Sequence, residues 1–417
     1  MTAINRRQAL ALLATVPLVA RVRAQIRPGP KHRVVMSFGH GFLLEPGGTL
    51  QAWHKGRQLD SRAIDALGLG DNRPLEPYTL APVAILKGVV RVAAGTGVSF
   101  AVLADGRLLS WGLNAGHGLL GTTPRSVVEV SASWGPNSNV PVALAVAFEA
   151  ADVCTQDVHA LALARDGTVY AWGRSDLGQL GIGPPPVINF KTRTPAPMSF
   201  VPFPVRIPGL TDVIAISAGR RHCLALLNDG TVRAWGENRS GQVGDGTTMR
   251  RAAPVPVPGV RGAVAIAAGA GDLSAALLAD GTVMTWGGTD EGGLGRVPFN
   301  KPSPTPTLVP GVRGVRAISV GSSHMIALTE ARTVITWGNN GFGSLGRPKD
   351  DHLPGVVPSV NNVQSICASN TTSVVVEANG RIMTWGGEVR PWNRPEGSEV
   401  TISRSPILFW LDGLDLP

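Results

Sequence analysis

Four histidines occupy the same phase of a repeated pattern, and they are the first residues of this chain that could do chemistry. Each of them precedes a tryptophan by thirteen residues: His40, His159, His222 and His324. In a closed ring, side chains repeated in this way can converge, and a cluster of imidazoles could bind zinc or a similar metal. The other copies hold Val98, Leu273 and Thr372 at this position. A local hydrogen bond from a strand to a neighbouring turn explains the histidines better, and we predict no metal site.

The three cysteines are Cys154, Cys223 and Cys367, and they show neither a C-x-x-C pair nor the spacing of metal ligands. Cys154 and Cys367 lie among apolar residues at nearly the same position of their repeats. We predict that all three are small buried side chains. Their odd number argues against a disulfide framework.

Two segments, residues 116–121 and 341–346, match G-x-G-x-x-G. Each follows a tryptophan at a strand end instead of joining a strand to a helix, so we predict no dinucleotide cofactor. The chain has no Walker sequence, no H-E-x-x-H and no G-x-S-x-G. The sequence therefore assigns no catalytic residue, no cofactor and no metal ligand.

The stretch from Val213 to Thr247 is the repeating unit that must position these residues. It contains three apolar runs, which are separated at Gly219 and at Asp229-Gly230, and the last run ends at Trp235. A Gly-x-x-Gly sequence follows the tryptophan. Alternating apolar residues between such turns are typical of strands joined by hairpins.

Seven copies of this unit follow one another. The tryptophan recurs at intervals of 48 to 63 residues: Trp53, Trp111, Trp172, Trp235, Trp286, Trp337 and Trp385. Most copies have a two-residue hairpin turn six residues earlier, but Ala331-Arg332 lacks glycine and predicts a longer or strained turn. The fifth copy has an extra residue between Gly269 and Leu273, which predicts a bulge. A fourth strand is expected at residues 204–209, 256–259 and 308–311.

Four strands repeated seven times are the pattern of a seven-bladed β-propeller. We predict an all-β domain over residues 33–417, with four antiparallel strands in each blade. Residues 406–415 resemble a fourth strand and residues 33–38 an inner strand. The N- and C-terminal strands are therefore expected to share one sheet and close the ring.

The repeat A-A-G-x-x-H-x-L-A-L-x-x-D-G-x-V-x-x-W-G-x-N-x-x-G-Q-L-G resembles the regulator of chromosome condensation family. Residues 153–183 and 216–246 are the best copies, and the resemblance covers about residues 33–415. The resemblance implies a seven-bladed propeller. Members of that family include exchange factors for a small GTPase on chromatin, ubiquitin-ligase modules, bacterial effectors and secreted inhibitors of β-lactamase. The resemblance thus implies a binding role without fixing the partner.

Residues 1–24 resemble an export signal. Arg6-Arg7 precede an uncharged stretch, residues 8–20, and the small-residue site Val22-Arg23-Ala24 follows. The apolar part is shorter than the roughly 20 residues that span a bilayer, so no membrane span is predicted. The arginine pair favours the twin-arginine route, while Asn5 and Ala9 depart from its usual pattern and leave the general secretory route open. We predict a periplasmic or secreted protein with a linker at residues 25–32.

The charge of the chain is only mildly positive once the signal is removed. The whole chain has 38 Lys and Arg, 29 Asp and Glu and a net charge of +9. Residues 1–24 carry four of the arginines, so their removal leaves +5. This surplus does not favour nucleic acid as a partner. We expect a monomer.

The longest connections are insertions at residues 59–82, 122–150 and 182–204. Equivalent connections should emerge on one side of the disc, where loops on a rigid scaffold often carry binding. Aromatic and basic side chains in such loops are typical interface anchors. The candidate partner-binding residues are Trp134, Phe190, Lys191, Arg193, Phe200 and Phe203. These residues could instead cap the blade edges.

The sequence favours a non-enzymatic platform that binds another macromolecule, most simply a protein. Three alternatives stay open. One is a hydrolase or lyase site in the central channel, for which no set of acid and base residues is legible. The second is a secreted inhibitor of an enzyme. The third is guanine-nucleotide exchange or chromatin binding, as in the nuclear member of the family, which an export signal argues against.

Overall fold

The computed structural model describes residues 33–37, 39–54, 66–70, 80–83, 85–113, 118–121, 138–183, 200–288, 292–298, 301–348, 352–389, 401–402 and 407–409. The predicted export signal, residues 1–24, and the linker, residues 25–32, lie outside these ranges. Within the described ranges, no helix has the length and apolar character needed to cross a bilayer.

Seven four-stranded sheets, one for each repeat, form the blades of a propeller. Their strands are, in blade 1, β1 (Arg33–Met36), β2 (His40–Leu44), β3 (Leu50–His54) and β4 (Ala81–Pro82); in blade 2, β5 (Val89–Ala94), β6 (Val98–Leu103), β7 (Leu108–Gly112) and β8 (Ser138–Ala143); in blade 3, β9 (Ala150–Thr155), β10 (His159–Ala164), β11 (Val169–Arg174) and β12 (Phe200–Arg206); and in blade 4, β13 (Val213–Ala218), β14 (His222–Leu227), β15 (Val232–Gly236) and β16 (Arg251–Pro256).

The remaining strands are, in blade 5, β17 (Ala263–Ala268), β18 (Leu273–Leu278), β19 (Val283–Gly287) and β20 (Ser303–Leu308); in blade 6, β21 (Val315–Val320), β22 (His324–Thr329), β23 (Val334–Gly338) and β24 (Gly355–Val356); and in blade 7, β25 (Val363–Ser369), β26 (Thr372–Glu377), β27 (Ile382–Trp385) and β30 (Ile407–Phe409). A separate two-stranded ribbon pairs β28 (Glu388–Val389) with β29 (Thr401–Ile402).

The hairpin between the second and third strands is one residue longer than predicted. In blade 4, Leu227 N donates to Thr231 O and Gly230 N donates to Leu227 O, each at 2.9 Å, so the loop has three residues. This loop type places its last residue in the left-handed region, and Gly230 has a φ of 77°. Asp229 Oδ1 closes the turn by accepting hydrogen bonds from Thr231 N and Oγ1 at 2.9 and 2.7 Å.

The Ala331-Arg332 turn of blade 6 has this same length, so of the two predicted alternatives, a longer or a strained turn, the second applies. Thr329 N donates to Thr333 O, and Arg332 N donates to Thr329 O, each at 3.0 Å. The prediction of strain is confirmed, because Arg332 takes the position of the glycine with a φ of 61°. That region costs a residue with a Cβ about 1–2 kcal/mol.

The outer strands of blades 3, 4 and 5 lie earlier in the sequence than predicted. β12, β16 and β20 end at Arg206, Pro256 and Leu308, so the predicted segments cover the strand end and the following turn. Prolines inside these strands, such as Pro202 and Pro204, obscured the pattern. Proline has no backbone N–H, which restricts it to strand edges and leaves an edge that cannot readily accept another strand.

The ring closes between blade 7 and blade 1. β1 contacts β5 on one side and β25 on the other. Val34 and Met36 share a core with Val374 and Val376. The terminal strands therefore close the ring, as predicted, but the shared sheet is wrong, because β1 pairs within blade 1 and β30 pairs with β27 in blade 7. Closure depends on packing between two complete sheets.

A tryptophan fills each seam, which is the space between two consecutive blades. Trp286 is 0% exposed, and its Nε1 donates to Gln242 O of the preceding blade at 3.0 Å. The Gly-x-x-Gly turn makes room for the indole, because a Cβ on Gly244 would lie 2.5 Å from Trp286 Nε1. The same bond to the preceding blade is made by Trp111, Trp172, Trp235, Trp337 and Trp385. The tryptophan and the second glycine of the repeat are thus two halves of one contact between blades.

The extra residue of the fifth copy lies in the turn between β17 and β18, so the predicted bulge is wrong. Gly269 N donates to Leu273 O at 2.9 Å, which keeps the strands paired across the longer turn. Asp272 in this turn reaches blade 4, where its carboxylate accepts hydrogen bonds from Ser240 Oγ at 2.8 Å and Gln242 Nε2 at 3.0 Å.

Alternate connections of an antiparallel blade lie on opposite sides of the disc. We call one side the loop face; it carries the turns between first and second strands and the connections between third and fourth strands. The other side, the hairpin face, carries the remaining turns. The insertions are shorter than expected, because β8 already begins at Ser138 and β12 at Phe200.

Candidate partner-binding face

The loop face presents large apolar side chains on three successive blades. They lie on the connections between third and fourth strands, where Met249 is 60% exposed, Val297 68%, Phe342 50% and Leu353 40%. Single exposed apolar residues are ordinary, but several on neighbouring loops of one face have the composition of interface anchors. Sequence reasoning missed all four, because it looked at the long insertions. The available signal was an apolar residue inside a short polar connection.

Buried asparagines hold two of these connections in place. Asn238 Oδ1 accepts a hydrogen bond from Val243 N at 2.9 Å, and its Nδ2 donates to Met249 O at 2.9 Å. Asn340 makes the corresponding pair of bonds in blade 6. Met249 and Phe342 are therefore presented on fixed backbone, which lowers the entropy that binding must overcome.

Ion pairs lie among these loops. They are Arg174–Asp176, Arg220–Asp157, Arg239–Glu237 and Arg251–Asp245, at 2.6, 3.2, 3.2 and 2.5 Å. Burial alone would raise the pKa of Asp245, but hydrogen bonds from Thr247 and Arg251 bring it below its ordinary value. Arg174 and Asp176 are both partly exposed, and exposed pairs of this kind add little stability. The loop face therefore offers apolar contacts and arginine donors rather than a field of one sign.

Four of the predicted partner-binding residues lie outside the described residues: Trp134, Phe190, Lys191 and Arg193. The other two, Phe200 and Phe203, both lie on β12, and the structure separates them. Phe200 begins the strand at the loop face, is half-buried and pairs with Arg174. Phe203 is 43% exposed on the outer rim of the disc.

Phe203 lines an apolar groove between the outer edges of blades 2 and 3. The groove has a volume of about 390 Å³. The rings of Phe148 and Tyr170 stack beside it with centroids 3.9 Å apart and planes at 12°. No charged side chain is among its described lining residues, which are Gly121, Ala143, Ala145, Val146, Ala147, Phe148, Tyr170, Phe203 and Pro204.

The four repeated histidines do not converge. Each is at most 1% exposed and contacts the next blade through Nε2, and the pairs are His40–Ser99 at 2.8 Å, His159–Cys223 at 3.0 Å, His222–Ser274 at 2.9 Å and His324–Ser373 at 3.0 Å. The prediction of a structural hydrogen bond is confirmed, although the partner is a strand residue of the next blade instead of a turn. Among the residues that the structure describes, no group of three His, Cys, Asp or Glu could hold a metal ion.

His159 and Cys223 resemble the base and nucleophile of a thiol enzyme, but both are 0% exposed. Burial raises the pKa of the Cys223 thiol well above its ordinary value and lowers the pKa of His159 to about 4. Both groups are therefore neutral at pH 7, whereas a reactive cysteine needs a thiolate. Cys223 is buried as predicted, whereas Cys154 and Cys367 are only partly buried.

The chain matches one family over most of its length and shares its fold with solved structures. A model of the RCC1-like domain matches residues 60–390. The E3 ubiquitin-protein ligase HERC2 of Homo sapiens is 30% identical over 316 residues, which are 73% of this chain and 6% of HERC2. The chain thus spans a small part of that relative.

Two solved structures of the yeast protein RCC1 (Prp20) have the same fold. The one bound to Kap60 has a TM-score of 0.66 at 21% identity and covers 84% of this chain and 82% of that one. The other, from Saccharomyces cerevisiae, has a TM-score of 0.65 at 22% identity, covers 83% of each chain and is described with binding to Gsp1p and histones. The family match, the repeated seam contacts and the seven blades agree: this chain belongs to the RCC1-like domain family.

Proposed function

We propose that this protein is an exported, non-enzymatic propeller that binds a protein partner on its loop face. The observation that carries this proposal is the set of four exposed apolar side chains on the connections of blades 4 to 6, between 40% and 68% exposed. Two of these connections are fixed by buried asparagines. An RCC1-like propeller fits a protein-binding platform, and Prp20, which has this fold, is described as bound to Kap60.

The rigid scaffold supports recognition by side chains rather than by strand addition. Prolines interrupt the outer strands, so an incoming strand would find missing donors along that edge. Apolar anchors beside arginines can instead fill pockets and donate hydrogen bonds to a folded surface. We include in the proposed site the insertion that contains Phe190, Lys191 and Arg193, because in the sequence it joins the third and fourth strands of blade 3.

The export part of the proposal rests on Arg6-Arg7 and the apolar stretch that follows them. If it holds, the protein is recovered outside the cytoplasm with the mass of residues 25–417. That recovered protein is the bait for partner capture from a periplasmic or extracellular extract.

The capture experiment compares the whole bait with a bait that lacks residues 186–197. This deletion removes Phe190, Lys191 and Arg193 but leaves β12 intact. We expect the deletion to reduce the captured protein at least tenfold, because it removes aromatic and basic anchors, while the melting temperature stays within about 2 °C. Equal capture by both baits would remove the insertion from the site. An uncleaved cytoplasmic protein would contradict export.

A further inference from the structure

Six of the seven seams between blades fall into two chemical kinds, which differ in one residue pair. The pair consists of the first residue of the second strand in one blade and the second residue of that strand in the next blade. Histidine is paired with serine or cysteine in four seams, as in His222–Ser274 and His159–Cys223. Two further seams have an apolar pair, Val98 with Ala160 and Leu273 with Met325, and the seam that closes the ring has Thr372 with Gly41. Each apolar pair shares one buried core.

The hydrogen bonds around a seam histidine determine which of its ring nitrogens carries the proton. Ser274 Oγ donates its only proton to Gln242 O at 2.8 Å, so it can only accept from His222 Nε2 at 2.9 Å. Cys223 Sγ likewise faces Gln179 O at 3.3 Å and His159 Nε2 at 3.0 Å. Nε2 therefore carries the proton in both histidines, and Nδ1 is left as a bare acceptor.

Blade 4 has such a histidine on both of its sides. The buried Nδ1 atoms of His159 and His222 have no hydrogen-bond partner in the described part of the structure. A second proton on either ring would lie on this buried Nδ1 without an acceptor, which disfavours the charged form of the ring. His40 differs, because its Nδ1 lies 3.0 Å from Ser37 Oγ.

The charged groups around the two rings already have ion-pair or hydrogen-bond partners. His159 faces His222 and the carboxylate of Asp157, which is paired with Arg220 at 3.2 Å. His222 faces Asp272, whose oxygens accept from Ser240 and Gln242. On the adjoining strand end, Glu237 is paired with Arg239 at 3.2 Å. Neither ring has a free carboxylate to hold an added proton.

We propose that blade 4 is an acid-sensitive element, which loosens at both seams when His159 and His222 take up protons and then withdraws its loop from the binding face. That loop, residues 237–250, carries Met249, so acid would weaken partner binding. This inference goes beyond the proposed binding role. Only the expected loss of partner binding in acid rests on that role. The loosening itself is a property of the free chain.

The direction of the pH effect follows from the protonation of the two states. Burial lowers the pKa of both His159 and His222 to about 4, although Asp157 and Asp272 act in the opposite direction. An exposed histidine titrates near 6.5, so the open state binds more protons between about pH 4 and pH 6.5. The stability that the two buried neutral rings contribute is fully present above pH 6.5 and is lost as the pH decreases towards 4. The opening constant rises at most about tenfold per pH unit for each histidine.

Hydrogen exchange of the free chain at pH 7.5 and pH 5.0, corrected for the intrinsic rate, tests this proposal. Between these values the opening constant for β13 to β15 should rise about thirtyfold for each histidine, or up to about a thousandfold. The strands β5 to β7 of blade 2 are the internal control and should change far less, because one of their seams is apolar at Val98 and the histidine at the other, His40, has Ser37 Oγ beside its Nδ1. An equal change in blades 2 and 4 would overturn the proposal.

Two double variants, each of which copies the apolar pair of another seam of this chain, test the proposal further. H222L with S274M copies the Leu273–Met325 pair, and H159V with C223A copies the Val98–Ala160 pair. Each should reduce the rise of the opening constant in blade 4 at pH 5.0 about thirtyfold and leave pH 7.5 little changed. If both folded variants keep the full acid response, the proposal is wrong. Failure to find a partner would contradict the proposed function instead and leave this result standing.

Discussion

Replacing Trp286 by alanine should lower the free energy of unfolding by about 3–5 kcal/mol. The side chain is 0% exposed between blades 4 and 5, and a buried tryptophan removes about 200 Å² from water. The substitution also deprives Gln242 O of the indole N–H, although Ser274 Oγ still donates to that oxygen. Urea unfolding followed by far-ultraviolet circular dichroism measures the change.

Phenylalanine at the same position is the matched control. Trp286→Phe keeps most of the apolar burial and loses the hydrogen bond, so its cost should be clearly smaller than that of alanine. A loss below 1 kcal/mol for Trp286→Ala would mean that the seams do not hold the ring together.

Replacing Gly244 by alanine should cost about 2–5 kcal/mol. A Cβ there would lie 2.5 Å from Trp286 Nε1, and the residue has a φ of 78°. The collision adds overpacking of about 1–3 kcal/mol to a backbone penalty of about 1–2 kcal/mol.

Gly246 provides a control on the same loop. Its φ is 83°, but a Cβ there would meet nothing within 4 Å. Gly246→Ala should therefore show the backbone penalty alone, about 1–2 kcal/mol. The difference between the two variants measures the contact between the glycine turn and the indole. Equal losses from both variants would show that no such contact limits position 244.

The repeat could be predicted because its spacing has a direct physical cause. The distance from the hairpin residue of positive φ to the tryptophan is constant, as from Gly230 to Trp235, since each blade needs a tight hairpin and a side chain that fills the seam with the preceding blade. The hydrogen-bond partner of the tryptophan could not be predicted from the sequence. The carbonyl that accepts from Trp235 belongs to Gln179 in the preceding blade. Periodicity shows which residues are equivalent, but it does not show which copy they touch.

The closure of the ring shows the same limit. A strand pattern at residues 33–38 and another near residue 407 fit two arrangements, one with a shared sheet and one with separate sheets. The choice depends on pairing partners, and β30 pairs with β27. The seam histidines were recognised as structural from their apolar substitutes, yet the compensating Ser274 and Met325 became visible only in three dimensions.

The candidate site was the least predictable part. Residues such as Met249 and Val297 stand in short turns, where composition alone does not distinguish an exposed side chain from a buried one. Val243, in the same connection as Met249, is fully buried. Exposure is decided by the fold of each loop, and here by Asn238, whose hydrogen bonds fix both residues.

The affinity of paired surface variants for the captured partner tests the central claim most directly. One variant carries serine at Met249 and Phe342 on the loop face, and its control carries serine at Leu308 and Val356 on the outer strands, which are 49% and 56% exposed. We predict that the loop-face variant binds at least tenfold more weakly, a loss of about 1.4 kcal/mol or more, and that the control binds like the original protein. Unchanged binding by the loop-face variant, with weakened binding by the control, would contradict the account.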